Sequence, residues 1–293
     1  MATVYFNRVG YQKTENLQTK EPRERYLVGL RGLYQLYDLE FDESSVIEGD
    51  QFNYIELLEQ VSEEFTQHLA SFNPVIISQW GNEFDSDAPA IGPFMAKHYG
   101  LNIPVFDVID RGSISPLIAL RVLKGIVEVQ QQDGALISFQ QNTSPSSIGS
   151  YNVAPKYSGT GYVSLTAKNT GLAIKELAEF SEKEIHANPS SIHEKIKSLI
   201  IENELQSQEV NVFSRKGSRF NKLSNTDFIN KSGSLAISYN DLPADASSLT
   251  FFSFLEKLRD ENSNGYYLYV EEDFETLSTI LVFIQVEQDD NNE

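Results

Sequence analysis

The sequence predicts a layered α/β protein, and three of its features point there: short continuous apolar runs, amphipathic stretches between them, and one segment that is apolar nearly all round. The runs PVIIS at 74–78, IPVFDVI at 103–109 and ALISF at 135–139 have the length and makeup of strands buried on both faces. The segment PLIALRVLKGIVEV, Pro116 to Val129, reads as a helix covered on most sides, with Pro116 suited to its first turn.

In chain order, Thr3 to Phe6 is strand-like, a polar stretch runs to Arg25, and a mixed segment ends in the acidic loop Glu40 to Asp50. From Asn53 to Ser71, Tyr54, Leu57, Leu58, Val61, Phe65, His68 and Leu69 recur at helical spacing. Ala90 to Tyr99 is a second helix, stopped by Gly100. Gly161 to Thr166 follows as a strand, after the Ser, Pro and Gly-rich loop Gln140 to Gly159. Gly171 to Ile185 and Ile192 to Leu205 carry helical patterns, the latter with Ser191 and Glu194 spaced as a capping box. Val210 to Phe213 and Leu235 to Tyr239 are strand-like, and Leu249 to Arg259 is helical. The runs GYYLYVEE and TILVFIQVE close the chain with the spacing of a hairpin. A chain of 293 residues accommodates one large domain or two packed halves, since single cores stop growing near about 250 to 300 residues. Halves at 1–185 and 186–293 are expected, with no fixed-period repeat.

The formal charge of −19 argues against nucleic acid or an anionic membrane as partner, because both are bound through basic surface. No apolar run approaches the roughly 20 residues that span a bilayer, and the start MATVYFNRVGYQKTE lacks a signal-peptide layout. A cytoplasmic location is therefore expected. The chain has no cysteine, which removes disulfides, thiolate metal sites and a cysteine nucleophile together.

The sharpest local signal is VFDVIDRGSISPLIAL, Val105 to Leu120, where a strand runs through a Gly-Ser turn straight into the apolar helix. Such a junction sets its turn residues at a helix N-terminus, whose free N–H groups favour negative charge. From Asn53 to Thr166, the helix, the VIISQWG strand, the helix ending HYGLN, the FDV strand, the Gly-Ser turn, the apolar helix and the Gly-Ala-Leu-Ile strand resemble the N-terminal half of type III β-ketoacyl synthases. That resemblance implies a thiolase-like layered αβαβα fold of two related halves with mixed sheets, here with the C-terminal half shortened. It also implies a nucleophilic cysteine at the start of the apolar helix, where this chain has Gly112, matched from the strand, or Ser113, matched from the helix. The family's histidine falls at Ser214 or Arg215 in VNVFSRKGSRF, and its asparagine at Asn230 in FINKSGSLA. The four histidines, His68, His98, His186 and His193, all precede that region.

Condensation of acyl groups needs a thiolate that carries a thioester and donors that steady the developing charge. Glycine supplies neither, and Ser113 would lack its activating histidine. The resemblance thus implies a subunit without catalysis of its own, paired with an active β-ketoacyl synthase-like partner in fatty-acid-like, polyketide-like or secondary-metabolite biosynthesis. An acyl thioester would reach it through that partner, and no cofactor or metal is expected. Asp110, Arg111 and Ser115 would line the pocket or the interface, with pairing between Asp110 and Arg111 as the plainer reading. Two alternatives stay open: Ser113 as acyl acceptor, and a ligand-binding scaffold without chemistry.

Other candidates carry less. FDSDAP at 84–89 and EEDFE at 271–275 lack calcium-loop spacing and read as solvated loops. Gly159-Thr160-Gly161 lacks the third glycine and the following helix of a dinucleotide fingerprint. His98 suits a helix end and His68 a helix's apolar face.

Overall fold

A computed structural model describes residues 2–14, 21, 24–38, 43–81, 83, 87–109, 112–143, 155–188, 190–223, 237–243, 247–261, 264–273 and 278–287. The first part of the chain runs β1 (Val4–Lys13), α1 (Glu24–Leu36), α2 (Ser44–Ile47), α3 (Tyr54–Leu58), α4 (Glu63–Thr66), β2 (Val75–Gln79), α5 (Ile91–His98), β3 (Val105–Val108), α6 (Ser115–Gln130), β4 (Gly134–Gln140) and β5 (Gly159–Thr166). It continues as β6 (Leu172–Phe180), α7 (Glu182–Ala187), α8 (Ser191–Glu202), β7 (Val210–Arg215), α9 (Arg219–Leu223), β8 (Ile237–Leu242), α10 (Thr250–Glu261), β9 (Gly265–Glu272) and β10 (Thr279–Val286).

The strands form one ladder in the order β3-β2-β4-β5-β1-β6-β10-β9-β7-β8. Read outward from the middle, β1-β5-β4-β2-β3 and β6-β10-β9-β7-β8 are the same pattern twice. Pairing senses repeat too: β2 is parallel to β3 and β4, as β7 is to β8 and β9, and the remaining pairs in each run are antiparallel. Among the described residues, the two runs pair with each other over Val4–Phe6 against Leu172–Ile174. The second set of five strands fits within 172–286 against 4–166 for the first, so it is shorter in chain but not in strands.

Three apolar clusters define the layers. One joins α6 and α10 to inward residues of both runs, including Ile76, Leu136 and Val163 from the first and Tyr269, Val282 and Ile284 from the second. A second packs α3 to α5 on the outer face of β2 and β4, and a third packs α7 and α8 on β7, β9 and β10. The order is therefore helices, sheet, central helices, sheet, helices. α10 is keyed to the first run: the ring of Phe252 lies where a Cβ on Gly161 would be, and Arg259 donates to the carbonyl of Val9 at 2.8 Å. Among the described residues, no helix is long and apolar enough to cross a membrane.

Several sequence expectations are corrected. Gly171 to Ile185 is not one helix: its end, from Glu182, is helical as α7, but Leu172–Phe180, whose Leu, Ala, Lys and Glu favour helix, pairs as β6 with β1 on one side and β10 on the other, and two flanking ladders override local propensity. The stretch from Asn53 to Ser71 breaks into α3, α4 and a 3-10 turn, because Ser62 is extended and the chain bends to bury Val61. α1, in the segment read as mixed, buries Leu27, Leu30 and Tyr34. Ser191 forms no capping box; those boxes occur at Ser181 with Glu184 and at Asn53 with Glu56.

Candidate functional site

α6 starts where its sequence says it should. β3 leads through a 3-10 turn, Gly112–Ile114, into Ser115, with Pro116 in the first turn. Gly112 takes φ +52, a left-handed conformation that side chains resist, and donates its N–H to the carbonyl of Trp80 at 3.2 Å. The residue just past β2 thereby fixes the bend. Ser113 and Ser115 are both buried. Asp110 and Arg111 lie outside the described residues, as does Asn230.

Ser113 hydrogen-bonds the carboxylate of Glu271, at the inner face of β9. Glu271 is 1% exposed. Its Oε1 accepts from Nε and Nη2 of Arg215 at 2.8 and 2.6 Å, and its Oε2 accepts from the Tyr269 hydroxyl at 2.7 Å. Arg215, with no exposed surface, also donates from Nη2 to the carbonyl of Ser247 at 3.1 Å and from Nη1 towards that of Pro243 at 3.5 Å. Ser113, Glu271, Arg215 and Tyr269 thus form one buried network in the central layer. Burial pushes the Glu271 carboxyl above its ordinary range, against the downward pull of Arg215 and of the Tyr269 and Ser113 hydroxyls. An arginine cannot shed its charge, so its burial here depends on that carboxylate.

Ser214 and Arg215, left as alternatives by the sequence, are separated by strand alternation. Arg215 faces inward to Glu271. Ser214 is buried on the outer face beside Asn221, whose amide Nδ2 approaches it at 3.4 Å and donates to Asp241 at 2.7 Å. The structure therefore brings Ser113 and Arg215 together through Glu271 and leaves Ser214 outside the group.

The segment 271–275, read as a solvated loop, is corrected for its first three residues: Glu271, Glu272 and Asp273 are all buried. Glu272 faces outward and accepts the N–H groups of Arg219 and Phe220. The missed signal was parity, since Tyr267, Tyr269 and Glu271 share one face of a strand whose inward side is core. The segment 84–89 is described only from Asp87, which pairs with Arg25 on the surface. His98 stacks on Phe94 at a centroid distance of 5.3 Å.

A second polar group sits at the start of α10. Gln140 Oε1 accepts from the hydroxyls of Ser247 and Ser248 and from the Ser248 N–H, and its amide donates to the carbonyl of Tyr157. The Tyr157 hydroxyl meets Ser247 at 2.9 Å. Laying the ladder registers of the two runs on each other, Val75 on Val210 and Ala135 on Tyr266, sets Gln140 on Glu271, Gln141 on Glu272, Asn142 on Asp273 and Trp80 on Arg215. Each half thus closes the start of the other half's central helix. Among the described residues, no group of histidine, aspartate or glutamate side chains has the makeup of a metal site.

No family model matches the chain, and no curated protein does. Solved structures do. A tetronic acid condensing enzyme, AbyA1, aligns with a TM-score of 0.62 and 13% identity over 97% of this chain and 100% of its own. The acyltransferase ChlB3 aligns at 0.60 with 10% identity, over 97% and 98%. The 3-oxoacyl-(acyl carrier protein) synthase III, FabH, from Pseudomonas aeruginosa PAO1 aligns at 0.58 with 12% identity, over 98% and 99%. The five layers and the doubled strand order of this chain are those of the thiolase-like fold that such condensing enzymes share.

Proposed function

We propose that this chain is a non-catalytic β-ketoacyl synthase-like subunit that pairs with an active synthase-like partner and helps shape its acyl pocket. The single observation that carries the reading is the state of the helix start: the chain has no cysteine, and Ser113 is bonded to a buried Glu271 that Arg215 holds in turn. A nucleophile needs a free base and room for the acyl group. Here the hydroxyl faces a carboxylate already engaged by an arginine. The similar structures named as condensing enzymes and acyltransferase support acyl thioesters, in lipid-like or polyketide-like biosynthesis, as the substrate class of this reading.

Coexpression with a cysteine-bearing homologue from the same genome, followed by size-exclusion chromatography and an acyl condensation assay, tests this. A stable complex whose product length changes when this chain is omitted is the expected result. A lone monomer that leaves the homologue's products unchanged would overturn it. The competing reading, Ser113 as acyl acceptor, predicts an added acyl mass on incubation with acyl-CoA that S113A abolishes.

A further inference from the structure

We infer that Arg215 is an internal plug: by holding Glu271 and the carbonyl of Ser247 at once, it keeps the starts of α6 and α10 shut together around Ser113. The inference deepens the reading above, adding how the seat is closed, and rests on four hydrogen-bonded segments. Nε and Nη2 reach β9 through Glu271, and Glu271 passes the connection to the turn before α6 through Ser113. Nη2 also reaches the residues before α10 through the Ser247 carbonyl. Ser247 in turn is tied to Tyr157 and Gln140 of the other half. One guanidinium is thus the bridge between two clusters that otherwise serve different helices.

The position matters as much as the bonds. Arg215 ends β7, and its counterpart Trp80, the residue after β2, offers a backbone carbonyl that takes the Gly112 N–H. Where the first half closes the turn with backbone, the second inserts a long charged side chain into the central layer. Arg215 is the largest of the fully buried side chains among the described residues. Shortening it would open space beside Glu271 and one hydrogen-bonded step from Ser113.

The absence of any natural cysteine allows a clean test. In S113C the introduced thiol is the sole one in the chain, and its alkylation by iodoacetamide reports how often the seat opens. In the otherwise unchanged protein, labelling is expected to run roughly a hundredfold slower than in the same chain unfolded in urea. Adding R215A should speed it by roughly tenfold or more, while R121A, which removes an exposed ion pair of α6 with Glu179, should leave it unchanged.

Should R215A lose its fold, R215A/E271Q carries the test, because it leaves no unpaired carboxylate and sets at 271 the amide found at 140. Labelling of S113C at the unfolded rate, or no acceleration in the folded Arg215 variants, or equal acceleration by R121A, would overturn the plug. The outcome is independent of whether a partner is found: faster labelling without a partner keeps the plug and removes the proposed pairing, and the converse result does the opposite.

Discussion

The ends of β4 and β9 are the same place built twice, and they differ in charge. At the first stand Gln140, Gln141 and Asn142; at the second, Glu271, Glu272 and Asp273. Each amide has been matched by the acid of the same shape. The amides need no counter-ion: Gln140 serves the hydroxyls and backbone of Ser247, Ser248 and Tyr157, and Gln141 donates to the carbonyl of Phe52 and the carboxylate of Glu83. The acids need compensation, and they find it in Arg215 for Glu271 and in the backbone N–H groups of Arg219 and Phe220 for Glu272. A buried ion pair of this kind adds little net stability but makes each partner hard to remove alone. The second seat is therefore the brittle one.

The largest effect expected is from R215M, which strands Glu271 without its cation and should cost about 3–5 kcal/mol in urea unfolding. Q140L at the matching place should cost clearly less, since it leaves only neutral groups unpaired. Equal losses would erase the contrast between the two seats. Next is the pair R215M/E271Q, which converts the second seat to the neutral plan of the first. Its loss should be smaller than that of R215M alone, giving a coupling of about 1–3 kcal/mol in a double-mutant cycle. S113A is smaller again, at about 1–2 kcal/mol, because it removes one donor from a carboxylate that keeps Arg215 and Tyr269.

The weakest test uses pH. His193, stacked on Phe220 at 4.7 Å, is held down to about 4 by burial and by the nearby Lys197. Its pKa is lower folded than unfolded, so the unfolded chain takes up the proton first, and stability should fall as pH drops from about 6.5 towards 4. Glu271 acts with the opposite sign. Burial raises its pKa, so its contribution weakens as pH climbs above the ordinary carboxylate range. Melting curves of H193Q should lose the first slope and keep the second. If the slope near pH 5 to 6 persists in H193Q, the titrating group lies elsewhere.

Much of the first half was legible in the sequence because β2 and β4 are continuous apolar runs buried on both faces and the central helix is apolar on nearly every side, although β3, read as buried in the same way, is a partly exposed edge strand. The bend at Gly112 stands where the Gly-Ser turn between strand and helix sets it. The second half was harder for a physical reason. β6 is written in helix-favouring residues and becomes a strand only because β1 and β10 flank it. Glu271 looked like surface because carboxylates rarely lie inside, and the arginine that permits its burial stands 56 residues earlier in the chain. Sequence distance hid the pair; strand parity would have revealed it.

Among the described residues, strand pairing between the halves runs over Val4–Phe6 and Leu172–Ile174, and α10 leans on β1 and β5 of the opposite half through Phe252 on Gly161 and Arg259 on Val9. A cut between β5 and β6 would leave two fragments whose ladders lose only the short β1–β6 pairing but whose greasy inner faces lose half their cover. Neither fragment has a finished interior, so each would be expected to act as the other's folding template, reassembling when mixed and clumping when kept apart.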